Sequence, residues 1–384
     1  MRRAGLIAPL LVFLLLAFIG PVVAFLARGV EDDAVAPAFP RTLAALADWN
    51  GQGVPGDPTF EALAEDLRAA RAAGTLNPAA ARLNTDRSEM RGAIAAAARA
   101  VADPAGGPAR DAILRADPAW GERETWGAIR RAAGPWTTYH LLAALDFKRD
   151  AAGAIHSDPP EQVVFRTVLA RTFAISGLVT LLCLLLGYPV AALLALLPWR
   201  AAGLMAICVL LPFWTGVIVR SAAWMALLGH DGPVAGALSL FGPPPALLFN
   251  RFAVVLAMTH IQLPFMILPL LAVMRRVPRL QWRAASSLGA APVAAFLRIW
   301  LPQTVPGVIA GALLVFLQCL GFYVTPALLG GGADQMLAYF IGAEATRSGN
   351  WALAAAMSLV LLGATAALAL VAARPMRAAM ARSA

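Results

Sequence analysis

Lysine is nearly missing from this chain: Lys148 is the single lysine beside 30 arginines in 384 residues. A phosphate-binding loop of the G-x-x-x-x-G-K-[ST] kind needs a lysine to reach the phosphates. Lys148 stands between Phe147 and Arg149, outside any such pattern, so the chain is not an ATPase of that kind. Cysteine is scarce too. Cys183, Cys208 and Cys319 all lie in apolar runs at no metal-ligand spacing. They form no disulfide framework and read as buried small hydrophobes. Four scattered histidines supply neither a metal cluster nor a Ser-His-Asp arrangement. The expectation is no catalytic residue, no metal and no cofactor held by this chain. Acids are the third scarcity, and a local one: after residue 166 only Asp231, Asp334 and Glu344 occur.

What is abundant is apolar. Hydrophobic residues make up 60% of the chain, well above the roughly 45–50% of soluble domains, which marks a membrane protein. The net charge of +9 would suit nucleic acid if it formed a patch, but it does not. Residues 28–166 carry 19 of the 22 acids and 16 of the 31 bases, and the rest of the chain carries 3 acids and 15 bases. That asymmetry belongs to membrane topology, with a lipid bilayer and not a nucleic acid as the partner.

Residues 5–27 form a first apolar run after Arg2 and Arg3. A cleaved signal peptide is the competing reading, but its apolar core is usually only about 7–15 residues, so an uncleaved anchor with a cytoplasmic N-terminus is expected. Residues 28–166 are charged, Ala-rich and punctuated by Asp-Pro and Gly-Pro pairs. Asp57-Pro58 opens a helix with Phe60, Leu63 and Leu67 on one face, and Gly74 closes it. Asn77-Pro78 and Asp117-Pro118 repeat the start signal, while Trp120, Trp126, Ile129, Trp136, Leu141, Leu142 and Leu145 supply a core. A compact helical insert on the outer side is expected.

Further spans are expected at 168–197, 203–228, 252–274, 305–330 and 352–373, giving six with the first. With the N-terminus inside, the segments near Arg200, 275–304 and the tail also lie inside. Those pieces, with Arg2 and Arg3, hold 11 arginines and no acid. The outer loops 229–251 and 331–351 hold two arginines and three acids. The positive-inside rule supports this count and places both termini in the cytoplasm.

Within segment 275–304, residues 283–302 read RAASSLGAAPVAAFLRIWLP. Ala284-Ala285 presents a nearly bare helix surface that permits close approach by another protein. Gly289 can take a positive φ and end a first helix, Trp282 to Leu288; Pro292 suits the first turn of a second, Val293 to Trp300. Pro302 and Pro306 are expected to interrupt helix at the entry to the next span. Arg283, Ala284-Ala285, Leu288, Gly289 and Ile299-x-Leu301-Pro302 together resemble the coupling loop of permease subunits in binding-protein-dependent ABC importers. That loop reads Glu-Ala-Ala, three residues, Gly, nine residues, Ile, one residue, Leu-Pro. Every spacing holds, and Arg283 stands where the family has glutamate.

In the third span, Pro212-Phe213-Trp214-Thr215 precedes Arg220, with Trp224 four residues on. Arg220 is costly in hydrocarbon and either faces a cavity or partner, or snorkels to the outer surface. It shares a helix face with Trp224, where a cation–π contact is within reach. Pro264 and Pro269 either free carbonyls to line a pathway or simply kink the fourth span. His260 and Gln262 are the polar groups near them. Asp231, Asp334 and Glu344 read as solvated loop acids. The Phe213-Trp214-Thr215 region, Gly187-Tyr188-Pro189, Leu263-Pro264-Phe265 and Phe322 to Gly331 are similar to permeases of spermidine/putrescine importers.

The resemblance covers the first span and nearly everything after Phe165, but not the insert. It implies an all-α membrane protein with six transmembrane helices: 1–27, a periplasmic helical insert 28–166, and 167–384 with the coupling loop. It implies alternating access in the bacterial inner membrane, ATP and Mg on a separate ATPase dimer, a second permease subunit and a periplasmic solute-binding protein. The pathway residues would be Phe213, Trp214, Thr215, Arg220, Trp224, Pro264 and Tyr323. Two rivals are an ion-coupled secondary transporter, against which the acid-free spans argue, and a membrane-anchored sensor or scaffold.

Overall fold

The computed structural model describes residues 9–102, 107–149, 154–243 and 246–383. The chain forms two compact units. One runs to Val163 and takes in Asn350–Leu359; the other comprises Val164–Gly349 and the chain from Val360 onward. The first apolar run and the charged insert thus fall in one unit.

In that first unit, α1 (Pro9–Ala27) is long and apolar enough to span a membrane. The insert follows as α2 (Pro40–Leu46), α3 (Asp57–Ala73), α4 (Leu76–Asp86), α5 (Met90–Ala100), α6 (Ala109–Ala116), α7 (Arg123–Arg131) and α8 (Tyr139–Ala143). Helix α3 buries Phe60, Leu63, Leu67 and Ala70 on one stripe. It ends at Gly74, whose φ of 75° lets its N–H reach the Ala70 carbonyl. Trp120 and Trp126 are fully buried, and their indole N–H groups donate to the carbonyls of Ala93 at 3.3 Å and Trp120 at 3.0 Å. Asp66, also buried, accepts from the Thr42 N–H and hydroxyl at 2.7 and 2.8 Å.

Two expectations fail here. Trp136 is 67% exposed, because its backbone bridges Glu31 at the edge of the insert, away from the core. The insert is also not purely helical: β1 (Phe147–Arg149) and β2 (Ile155–Ser157) form an antiparallel hairpin. Just past α1, a Cβ on Gly29 would come within 2.8 Å of the Ala356 backbone nitrogen, a closeness only glycine permits.

The second unit is built on α9 (Phe165–Leu196), α10 (Trp199–Leu210), α11 (Val217–Leu228), α12 (Pro233–Leu238), α13 (Arg251–Met274), α14 (Arg279–Ser287), α15 (Pro292–Leu320), α16 (Val324–Leu329) and α17 (Leu337–Thr346). Helix α18 (Trp351–Ser383) begins in the first unit and continues in the second. Helix α13 is the hub, capped by the Asn250 side chain, which accepts from the Ala253 N–H at 3.0 Å. Small residues let its neighbours approach: a Cβ on Gly187 of α9 would lie 3.1 Å from Met266, and one on Gly311 of α15 would lie 2.8 Å from the Met266 sulfur. Cys183 and Cys319 are buried beside this hub, but Cys208 is exposed, against expectation.

Among the described residues, five helices meet the length and apolarity of a membrane span, or six if one bent pair counts as a single span. The bent pair is the expected third span, 203–228. It turns by 97° between α10 and α11. Pro212 has no N–H to continue the helix, and Thr215 folds back, its hydroxyl donating to the Pro212 carbonyl at 2.8 Å. The fifth span differs too. Pro302 and Pro306 do not interrupt it; α15 runs through both and stops at Leu320, ten residues before the expected end. A π-helical turn at Phe296–Trp300 precedes Pro302, and the Gln303 side chain donates to the Ile299 carbonyl at 2.7 Å. Pro264 and Pro269 are likewise carried inside a continuous α13.

Candidate functional site

Two features of the second unit concern function. The first is the bend between α14 and α15. Gly289 has φ of 80°, and nothing lies within 4 Å of a Cβ placed there, so the backbone angle alone demands glycine. The Ala290 N–H bonds to the Ala285 carbonyl at 3.0 Å, the six-to-one hydrogen bond of a Schellman cap. Ala285 is buried, Ala284 is exposed, and Ile299, Leu301 and buried Trp300 anchor the far end. Leu280, Leu288, Val293 and Leu297 project apolar surface, with Leu288 89% exposed. Pro302 is exposed. The side chain of Arg283 lies outside the described residues.

The second is a cavity of about 300 Å³ between α11, α13 and the turn after α15. Arg220, Gln262, Gln318 and Tyr323 supply its polar lining; Phe265 and Phe322 supply aromatic walls. Gln262 is fully buried, yet its Oε1 has no partner among the described residues. Arg220 is in the same position at Nε and Nη1. In apolar surroundings such groups cost free energy until something meets them.

The helix break sets this geometry. It starts α11 at Val217, so that Val217 and Arg220, one turn apart, both face the cavity. Helix α11 is then held by the Ser221 and Thr325 hydroxyls, 2.8 Å apart, and by the Trp224 indole N–H, which donates to His260 Nδ1 at 3.2 Å. Trp224 thus engages His260 and not Arg220. Of the sequence candidates, Arg220 and Tyr323 line the cavity. Phe213 packs edge-on against Phe265 with centroids 5.2 Å apart, and Pro264 is buried beside Phe265. Trp214, 88% exposed, and Thr215 do not line it. Gln318 was not expected; an amide inside an apolar run was the signal that would have found it.

Nearer the loops, Asp334 is buried and pairs with Arg251 Nε at 3.1 Å, so it is not the solvated acid expected from sequence. Asp231 is fully exposed, beside His230.

No protein-family model matches the chain. The spermidine/putrescine transport system permease protein PotB of Haemophilus influenzae is 33% identical over 201 residues, covering 52% of this chain and 70% of that protein. PotB of Escherichia coli K12 is 33% identical over 197 residues, covering 50% and 72%. A crystal structure of a bacterial ABC transporter involved in the import of the acidic polysaccharide alginate aligns over 56% of this chain and 79% of its own, at 17% identity and a TM-score of 0.48.

Proposed function

The chain belongs to the spermidine/putrescine permease family of ABC importers, and on that premise we propose that it carries a polyamine or a closely related small solute inward across the bacterial inner membrane. Its termini face the cytoplasm and residues 28–166 face the periplasm, in line with the arginine distribution. ATP and Mg act on a separate ATPase dimer, since Lys148 offers no phosphate-binding loop here. The ATPase docks on the α14–α15 bend, with Arg283, Ala284, Ala285 and Leu288 at the contact and Gly289 as its fixed angle. A periplasmic binding protein delivers the solute. A second permease completes the pathway, whose part in this chain is the Arg220–Gln262–Tyr323 cavity. Closure of the ATPase pair moves the bend, and the spans alternate between inward-open and outward-open states.

The observation that supports this best is the exposed apolar row Leu280, Leu288, Val293 and Leu297 around a glycine-fixed bend, in a chain whose relatives are named as polyamine permeases. A row of that kind needs a protein to cover it. The test is uptake of radiolabelled spermidine into proteoliposomes holding the assembled complex. Uptake is expected only with ATP on the ATPase side and binding protein on the other. Uptake that persists with a hydrolysis-dead ATPase would sink the reading.

A further inference from the structure

Arg220 is an unfinished ion site. Arg220 is half-buried, and its Nε and Nη1 are shielded from solvent with no hydrogen-bond partner among the described residues. The cavity it lines offers two amides, a phenol and aromatic rings, and no carboxylate. Guanidinium nitrogens shut off in this way cost free energy until an acceptor meets them, and charges within membrane segments are found paired. A polyamine does not relieve it, because a polycation brought beside Arg220 is repelled.

Among the described residues of the second unit, no acid closes the gap. Its spans contain none. Asp334 is already paired with Arg251. Beyond residue 166, and with Asp334 paired, a second copy would offer Asp231, fully exposed on the loop beyond α11, and Glu344 on α17. From this geometry we propose that Arg220 is completed by an aspartate or glutamate side chain of a second, non-identical permease subunit, which reaches into the cavity and pairs with the guanidinium. The pair turns a cavity that repels a cationic solute into one that tolerates it, with Gln262 Oε1 and Tyr323 left to accept from the solute's ammonium groups. The proposal rests on the permease reading above.

The test uses the whole complex purified through a tag on this chain. Arg220→Lys keeps the charge and places a primary amine in the cavity. Treatment with a membrane-permeant carbodiimide joins that amine to any carboxylate in contact, and peptide mass spectrometry locates the link. A link to an Asp or Glu of a different permease chain is the expected result. A link to Asp231 or Glu344 of this chain overturns the non-identical partner. A complex that transports spermidine but gives no link to any protein overturns the pairing itself. A complex that transports nothing, with unmodified Arg220, counts against the permease reading and not against the pairing.

A second arm is independent of the cross-link. Arg220→Glu is expected to lower uptake roughly 100-fold or more, since a buried charge then faces its own sign. Reversing the cross-linked acid to arginine in the same complex is expected to recover at least a tenth of wild-type uptake. No recovery overturns the pairing.

Discussion

Gly289 is the residue on which the α14–α15 bend turns. Its φ of 80° lies in the left-handed region, and the space around a Cβ is open. The penalty of substitution is therefore conformational, about 1–2 kcal/mol for an ordinary L-residue and less for asparagine. Gly289→Val is expected to reduce ATP-driven uptake strongly while leaving the amount of protein in the membrane unchanged. Gly289→Asn is expected to reduce it less. Uptake normalised to protein by immunoblot checks both.

His140 gives the insert a pH dependence. Burial, with the Arg82 charge adding to it, pushes its pKa from 6.5 down to about 4. The fold therefore holds the neutral ring, while the unfolded chain takes up a proton below pH 6.5. The unfolded state then binds more protons, so stability falls as pH drops from about 6.5 toward 4. Thermal unfolding of the intact protein between pH 7.5 and 4.5 is expected to show that decline. His140→Gln is expected to flatten it between pH 6.5 and 5. At this scale the sequence exposed Gly289 through its spacing, and Arg220 through a lone charge in an apolar run. It did not expose Gln318, or the pairing of Trp224 with His260, because those depend on which faces of α11, α13 and α15 meet.

The helices differ in how far their ends could be read. Helix α3 was legible at both ends, since Pro58 and Gly74 act within one turn of their own positions. The fifth span was not. Pro302 and Pro306 read as breaks, yet a π-helical turn and the Gln303 side chain absorb the lost hydrogen bonding. The third span was read as a single apolar segment, and its composition does not reveal the 97° bend that falls between Pro212 and Val217. Packing on α13 was legible only as scattered glycines. Gly311→Val is expected to destabilise the second unit by about 1–3 kcal/mol, the usual range for overpacking. The added methyl groups press on Met266, whose sulfur would lie 2.8 Å from a Cβ and whose carbonyl would lie 3.2 Å away. A lowered melting temperature of the detergent-solubilised chain, with Gly311→Ala intermediate, is the expected outcome.

The whole molecule joins a membrane unit of known family to a charged insert with its own tryptophan-centred core. Composition sets the insert apart, because 19 acids in one segment cannot be threaded through hydrocarbon, but it does not show that the first apolar helix and Asn350–Leu359 fall in the same compact unit. The insert's hairpin and the outward turn of Trp136 were beyond reach, since short strands and bridges are fixed by distant pairing. Excising residues 35–155 and closing the gap with a Gly/Ser linker is expected to leave spermidine uptake above background, because the Arg220 cavity and the α14–α15 bend draw on no residue from that stretch. Total loss in a complex that still assembles would make the insert essential to solute delivery.

The exposed apolar side chains around the Gly289 bend have a consequence for the cell. If the ATPase docks on this bend as proposed, a permease made in excess of it leaves Leu280, Leu288, Val293 and Leu297 uncovered, a mark that membrane proteases and chaperones recognise as they would a misfolded protein. The chain's half-life in a pulse-chase is therefore expected to shorten when the ATPase is withheld and to lengthen when it is restored. Subunit ratios would then be set by degradation of the orphan, without any regulator of synthesis.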